Sequence, residues 1–400
     1  MRLWIVNHYA DPPDGMATRS HDLARWLVGQ GHDVSIFVSA FSHYTFRHTR
    51  AVGVRLFRIE QIEGVRYIWL RTFPYSRNDV RRVLNMVSFA VQAIGVGMIL
   101  RPRPDAVIGV SVHPLAALAG YVIARIRRAR FLVEVTDLWP ETLVQLGRLS
   151  RTSLITRAMR GLERYLFVRA ERILMLWRNT VDYVRDLGVD TTKIVWLPHG
   201  VDLGRYRAIP PYDGGASPYT IMFLGGLVHT NALDILLESA AVLAERGRTD
   251  IRLVIQGAGV EGQQLRERAT RLELQNVEFR AAVPKRDIAS AMAEADAFVY
   301  GLRNIPLYDF GISLNKVTDY FAAARPVIFY GHSRYDPVAI ARAGFSVPPD
   351  EPRALADAIE RLFQLEAAER IEMGQRGRTY LEDVHSVPTI ARRLLGVLTN

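Results

Sequence analysis

A chain of 400 residues exceeds what one hydrophobic core usually serves, so two domains are expected, and a hydrophobic content of 49% excludes disorder for most of its length. The absence of cysteine removes disulfides, thiolate metal sites and cysteine nucleophiles, and suits a reducing compartment. The net charge of +10 is lopsided: residues 1–200 carry 28 Lys and Arg against 16 Asp and Glu, and residues 201–400 carry 23 against 25, so an anionic surface is expected to face the first half.

From the amino terminus, apolar β-rich runs alternate with helical patterns. Strands are expected at Leu3–Asn7, Val34–Ser39, Val65–Arg71, Ala106–Val110, Phe131–Val135, Ile173–Trp177 and Ile194–Leu197, with helices over 16–30, 78–100, 113–127, 151–169 and 179–187. Continuous apolar strands between helices mean a parallel sheet covered on both faces. The first residues lack the apolar stretch of a signal peptide. Val83 to Leu100 is uncharged and about long enough to span a bilayer. However, Asn85, Ser88 and Gln92 recur at helical spacing, both flanks are basic, and a buried strand follows at once, so the run reads as a helix that is part core and part interfacial.

The segment 204–218, rich in Pro and Gly, is expected to be a linker. Alternation then restarts, with strands at Ile221–Gly225, Ile251–Gly257, Val277–Val283, Ala297–Gly301, Val327–Gly331 and Phe345–Val347 and closing helices over 352–364, 367–382 and 387–398. The fold class is α/β: two Rossmann-like domains in tandem facing a cleft, over 1–203 and 219–385. Ligands of open parallel sheets bind outside the carboxyl ends of the strands, so functional residues are sought just after them.

Several segments there carry chemistry. Gly15 sits where the loop after the first strand turns into a helix, and backbone N–H groups there could hold a phosphate. Glu134 lies inside a strand, where a carboxylate needs a partner; Asp137, just past its end, is the candidate catalytic residue, with a helix cap as the plainer alternative. His199 lies in the tight turn Leu197-Pro198-His199-Gly200, as a structural or a functional residue. Gly225 and Gly226 open the second domain in a strand–glycine loop–helix arrangement that lets an anion approach the backbone. The stretch GISLNKVTDYFAAARPVIFYG, 311–331, crowds Ser313, Asn315, Lys316 and Asp319 into the first turns of a helix. The N–H groups near Asn315 and Lys316, with the Lys316 ammonium, would face a diphosphate, and Asp319 would accept from a ribose diol. No Asp-x-Asp, Walker, GxSxG or paired-histidine metal motif occurs, so no metal and no cofactor is expected.

With these segments in hand, the chain resembles the GT-B glycosyltransferases of family 4, and within it the subgroup that builds bacterial surface polysaccharides, including N-acetyl-fucosamine and colanic acid transferases. The segments GMATRSHDLARWLVGQGHDVSIFVS, EVTDLWPETLVQLG, LPHGVD, FLGGLVHTNALDILLESA, IQGAGVEGQQL, SLNKVTDYFAAARPVI and RGRTYLEDVHS carry the resemblance through their order and spacing.

The resemblance implies retaining, metal-independent transfer from a UDP-sugar or GDP-sugar donor to a hydroxyl of a saccharide linked to polyprenyl diphosphate. It implies donor contacts at Gly225, Gly226, Asn231, Lys285, Asn315, Lys316 and Asp319, and acceptor contacts at Gly15, Thr18, Arg19, His113 and Glu141. The base would lie against the backbone from Ala282 to Lys285. Asp319 stands at the family's ribose-binding glutamate, and Asp137 stands where many members carry an active-site histidine. A final helix, 386–400, would cross back to the first domain.

The sequence also departs from the family. Gly226, Thr230 and Asn231 stand near the places of an Arg and a Lys that clamp the diphosphate, Gly311 replaces the first Glu of Glu-x7-Glu, and His199 replaces an Asn. The charge on the leaving diphosphate would then be met by Lys316, Arg303, Lys285 or helix N-termini. Arg77, Arg81, Arg82, Arg101, Arg103 and the cluster 125–130 would hold the first domain on anionic lipid at the inner face of the cytoplasmic membrane. No nucleic-acid motif is present, so no nucleic-acid partner is expected. On the sequence alone an inactive scaffold of a polysaccharide assembly complex and a sugar-nucleotide 2-epimerase stay open.

Overall fold

The computed structural model describes residues 1–399 apart from 54, 78, 216, 285, 286, 313 and 314, without the side chain of Asn315. The chain forms two compact units, one of Met1–His199 with Val387–Asn400, the other of Gly200–Ser386.

The strands of the first unit are β1 Arg2–Val6, β2 Asp33–Ser39, β3 Phe41–Ser42, β4 Arg47–His48, β5 Phe57–Ile62, β6 Val65–Leu70, β7 Ala106–Val110, β8 Arg130–Val135, β9 Arg172–Met175 and β10 Ile194–Trp196. Its helices are α1 Arg19–Gly29, α2 Val80–Ile99, α3 Pro114–Arg127, α4 Glu141–Gln145, α5 Leu154–Arg169 and α6 Val181–Asp186. The main sheet runs β10-β9-β8-β7-β1-β2-β6-β5, parallel except for β5, and β3 pairs with β4 in a two-residue ribbon. β5 escapes a reading based on apolar runs because it is a half-exposed antiparallel edge carrying Arg58, Glu60 and Gln61.

The second unit contains β11 Tyr219–Leu224, β12 Ile251–Gln256, β13 Val277–Arg280, β14 Ala297–Gly301, β15 Val327–Tyr330 and β16 Gly344–Val347. Around them lie α7 Leu233–Glu245, α8 Gly262–Arg271, α9 Ile288–Met292, α10 Asn315–Ala322, α11 Pro337–Ala341, α12 Pro352–Gln364 and α13 Ala367–His385. This sheet is all parallel in the order β13-β12-β11-β14-β15-β16. The last helix, α14 Val387–Thr399, lies against α1 and adds Ile390, Ala391, Leu394 and Leu398 to the core of the first unit.

The segment 204–218 is part of the second unit, contrary to a solvated linker. Tyr206 and Tyr212 are buried, the Tyr206 hydroxyl donates to Asp319 over 2.6 Å, and the Tyr212 and Tyr219 hydroxyls lie 3.2 Å apart. Two aromatic side chains with bonded hydroxyls anchor it despite its Pro and Gly content.

In each sheet the strand order reverses beside the first strand of the unit, at β1 between β7 and β2 and at β11 between β12 and β14. Those are the places where an open α/β sheet binds ligands at its carboxyl edge.

Candidate active site

In the second unit, the turn after β11 is built to bring a cation to the backbone. The missing side chain of Gly225 leaves room for Lys316, since a Cβ there would lie 2.4 Å from Lys316 Cε and displace the lysine. Through that gap Lys316 Nζ donates to Asn231 Oδ1 over 2.6 Å, and Asn231 Nδ2 donates to the Gly226 carbonyl over 2.6 Å. The ammonium also lies 5.1 Å from the centre of the Phe223 ring. Among the described residues no carboxylate pairs with it, and burial lowers its pKa to about 8. An ammonium has three donors, and one of them serves Asn231. The turn is pinned by Tyr330, whose hydroxyl donates to the carbonyls of Asn231 and Ala232 over 3.2 Å each. α7 then starts with no side chain capping its first N–H groups. An uncapped helix start beside an unpaired ammonium is a site for an anion.

Asp319 lies one turn further along α10, where its Oδ1 accepts the 2.6 Å bond from Tyr206. Tyr320 ties the same helix to the end of β11, its hydroxyl accepting from Leu224 N–H and donating to Leu224 carbonyl, each at 3.0 Å. Lys285 and the Asn315 side chain lie outside the described residues. Arg303, considered for the diphosphate, lies at the start of α7 with its charge already engaged: it pairs with Asp234 in the first turn of that helix at 2.5 Å and lies 3.7 Å from Asp350.

In the first unit, several expected contacts turn out to be occupied. The N–H groups of Met16 and Ala17, next to Gly15, already donate to Asp11 Oδ2 over 2.9 and 3.0 Å. The anion seen by this loop is therefore the protein's own, and Gly15 is small because a Cβ would lie 2.2 Å from Asp11 Cβ. Thr18 donates to Asp22 over 2.9 Å. Arg19 is the partner that the strand carboxylate needed: it makes two 3.2 Å bonds to Glu134 and also donates to the carbonyls of Leu197 and Pro198. Glu141 is buried between Arg151 at 2.7 Å and Arg160 at 2.6 Å and also accepts from Gln145. Arg19 and Glu141 thus spend their charge inside the unit.

Asp137 differs from them. It follows β8, its carboxylate bonds to Thr136, no ion pair to it occurs among the described residues, and burial raises its pKa to about 6. In the segment just after it, Trp139 Nε1 and Thr142 Oγ1 are buried without a hydrogen-bond partner among the described residues. His113 caps α3 by accepting from Ala116 N–H at 3.2 Å, and its Nε2 lies 2.7 Å from His8 Nδ1. Since His113 Nδ1 accepts, its proton sits on Nε2 and is donated to His8, which leaves the His8 proton on Nε2. That N–H is buried with no partner among the described residues, and burial holds both rings neutral, His113 at a pKa of about 3. His8 went unnoticed in the sequence, where its only signal is its place directly after β1.

Two family descriptions match the chain: "Glycosyl transferase 4-like domain" over residues 14–200 and "Glycosyl transferases group 1" over residues 218–365. The chain belongs to the family 4 glycosyltransferases of the GT-B fold. The glycosyltransferase is 20% identical over 286 residues to WcaI of Escherichia coli K12, an inferred colanic acid biosynthesis glycosyl transferase, with 68% of this chain and 69% of WcaI covered. Among solved structures it is similar to a sucrose-phosphate synthase from Thermosynechococcus elongatus, at a TM-score of 0.75 and 14% identity, covering 100% of this chain and 98% of the synthase. It is also similar to Anabaena HepE, solved with UDP and glucose, at a TM-score of 0.69 and 14% identity, covering 100% of this chain and 99% of HepE.

Proposed function

We propose that this glycosyltransferase takes a sugar from a nucleoside diphosphate held by the second unit and transfers it, with retention and without metal, to a hydroxyl of a lipid-linked saccharide in surface-polysaccharide synthesis at an anionic membrane. The observation that carries the donor half is the partly buried Lys316 ammonium, which has no carboxylate partner among the described residues and lies beside the start of α7, where no side chain caps the first N–H groups. A diphosphate there accepts from the remaining ammonium donors and from backbone N–H groups. Those groups stabilise the charge that grows as the sugar leaves. Asp319, oriented by Tyr206, accepts from the ribose diol. The similarity to WcaI supports the polysaccharide assignment, and that to HepE, which binds UDP, supports a uridine donor.

Asp137 takes the acceptor side. Its carboxylate accepts the hydrogen bond of the attacking hydroxyl, and the unpartnered Trp139 N–H lies two residues further on for a neighbouring sugar oxygen.

Calorimetry with UDP, GDP and ADP tests the donor half. One nucleotide should bind at about micromolar level, and Asp319→Ala should weaken it at least about tenfold, the worth of a hydrogen bond to a charged group. Absence of binding by any of them overturns the donor assignment.

The pH profile tests Asp137. Burial disfavours its anion, so the ionised fraction rises through about pH 6 and kcat/KM should climb with it. Above about pH 8 Lys316 loses its proton and the rate should fall again. Asp137→Asn should remove the acid limb and lower the rate by about 10²-fold or more. An acid limb that persists in that variant would assign it to another group.

A further inference from the structure

One face of the sheet in the first unit is covered by α2, α3 and α5. The connections β6–α2–β7, β7–α3–β8 and β8–α5–β9 all step the same way along the sheet, so right-handed crossovers place the three helices on one side with α3 in the middle. Their inner surfaces belong to the core. On α2, Phe89, Ala93 and Val96 are buried, and Gly97 approaches α3 so closely that a Cβ would lie 2.7 Å from Ile123. Asn85 donates to Thr72 over 3.0 Å and to the Phe73 carbonyl over 2.6 Å.

The outer surfaces are of another kind. On α2, Val80, Leu84, Val87, Val91 and Met98 form one exposed ridge at helical spacing, Val80 at 73% and Val91 at 64% exposure. On α5, Leu154, Tyr165 and Val168 are exposed in the same way. The three helices carry eight arginines and a single carboxylate, Glu163, which is buried and bonded to Tyr183. At the ends of α2 and α3, Arg77, Arg81, Arg101, Arg103, Arg125 and Arg128 are exposed, and none of the six is ion-paired among the described residues. α2 is long and apolar enough to cross a bilayer, but its inner face is committed to the sheet and to α3.

We propose that the outer surface of the α2–α3–α5 layer docks on an anionic lipid surface, with the α2 ridge lying in the interface and the arginines at both of its ends among lipid phosphates. A helix with one apolar face and cationic ends adopts this arrangement at a membrane. Among the described residues no exposed carboxylate lies on the three helices themselves; the nearest are Asp79, which caps the start of α2, and Asp105, which pairs with Arg2, and the arginines outnumber them. Docking here rests on the membrane location in the proposed function and gives it a contact surface, and it is tested independently of donor binding.

The test is flotation of the full chain with phosphatidylcholine vesicles, with and without phosphatidylglycerol. The protein should float with the anionic vesicles and stay behind with the neutral ones, and high salt should weaken the association. Val87→Glu with Val91→Glu, and separately Arg101→Glu with Arg103→Glu, should each reduce flotation by about tenfold or more. Both variants should keep the wild-type melting temperature and nucleotide affinity, which separates loss of docking from loss of fold or of the donor site. Failure to float with anionic vesicles overturns the proposal, as does flotation unchanged by the α2 pair. A dimer in sedimentation that the α2 pair dissolves also overturns it, assigning the face to a second copy of the chain.

Discussion

Replacing Lys316 by methionine is expected to lower kcat/KM by about 10²- to 10³-fold, from the loss of one or two charge-assisted bonds to the diphosphate. The same change should leave the folded state no less stable. The ammonium is largely desolvated with no carboxylate partner among the described residues, and desolvation already pulls its pKa down to about 8. Taking away an uncompensated buried charge relieves a cost, and methionine keeps most of the length and volume. Against this stand the 2.6 Å bond to Asn231 and the contact with Phe223. A urea denaturation midpoint that holds or rises while turnover collapses is the signature of a residue kept for its ligand. A midpoint that falls along with activity would make Lys316 a structural residue and remove the main support for the donor site.

Arg19→Met is expected to have the largest effect on stability, about 3–5 kcal/mol, by stranding a buried carboxylate. The Arg19 side chain is 9% exposed and that of Glu134 4%, and the guanidinium also satisfies two backbone carbonyls, so three acceptors lose their donor at once. The double variant Arg19→Met/Glu134→Met should recover a large part of the loss, because both charges leave together. Denaturant midpoints of the wild type, the two single variants and the double variant give the coupling directly. A loss below about 1 kcal/mol in Arg19→Met would mean that water reaches Glu134, as for exposed pairs.

The central strands were legible because they are buried on both faces and read as continuous apolar runs; Ala106–Val110 and Ala297–Gly301 have the same limits in sequence and structure. β5 was not, since its alternation is diluted by charge at an exposed edge. Candidates for the site can be picked from the sequence, Lys316 from the polar residues crowded at the start of its helix and Asp137 from its place after a strand, but the surroundings of the site were harder to read. They were illegible where side chains from distant segments choose each other. Glu134 announced the need for a partner, but Arg19 lies 115 residues away. Asp11 turns back over five residues to take the N–H of Met16, a rotamer choice that leaves no trace in composition. The tyrosine that orients Asp319 sits in a segment whose prolines and glycines argued for a spacer.

The return of α14 to the first unit has a consequence for synthesis on the ribosome. The second unit is one uninterrupted stretch, Gly200–Ser386, whereas the first draws on residues both before and after it, Met1–His199 and Val387–Asn400. Its core is completed by Ile390, Ala391, Leu394 and Leu398, which emerge only after the whole of the second unit has been made. The half that is made first is therefore the last to be finished, and until then α1 presents an uncovered apolar face to solvent. A polypeptide stopped at residue 199 would inherit that defect permanently, while one spanning 200–386 would carry every residue of its own core.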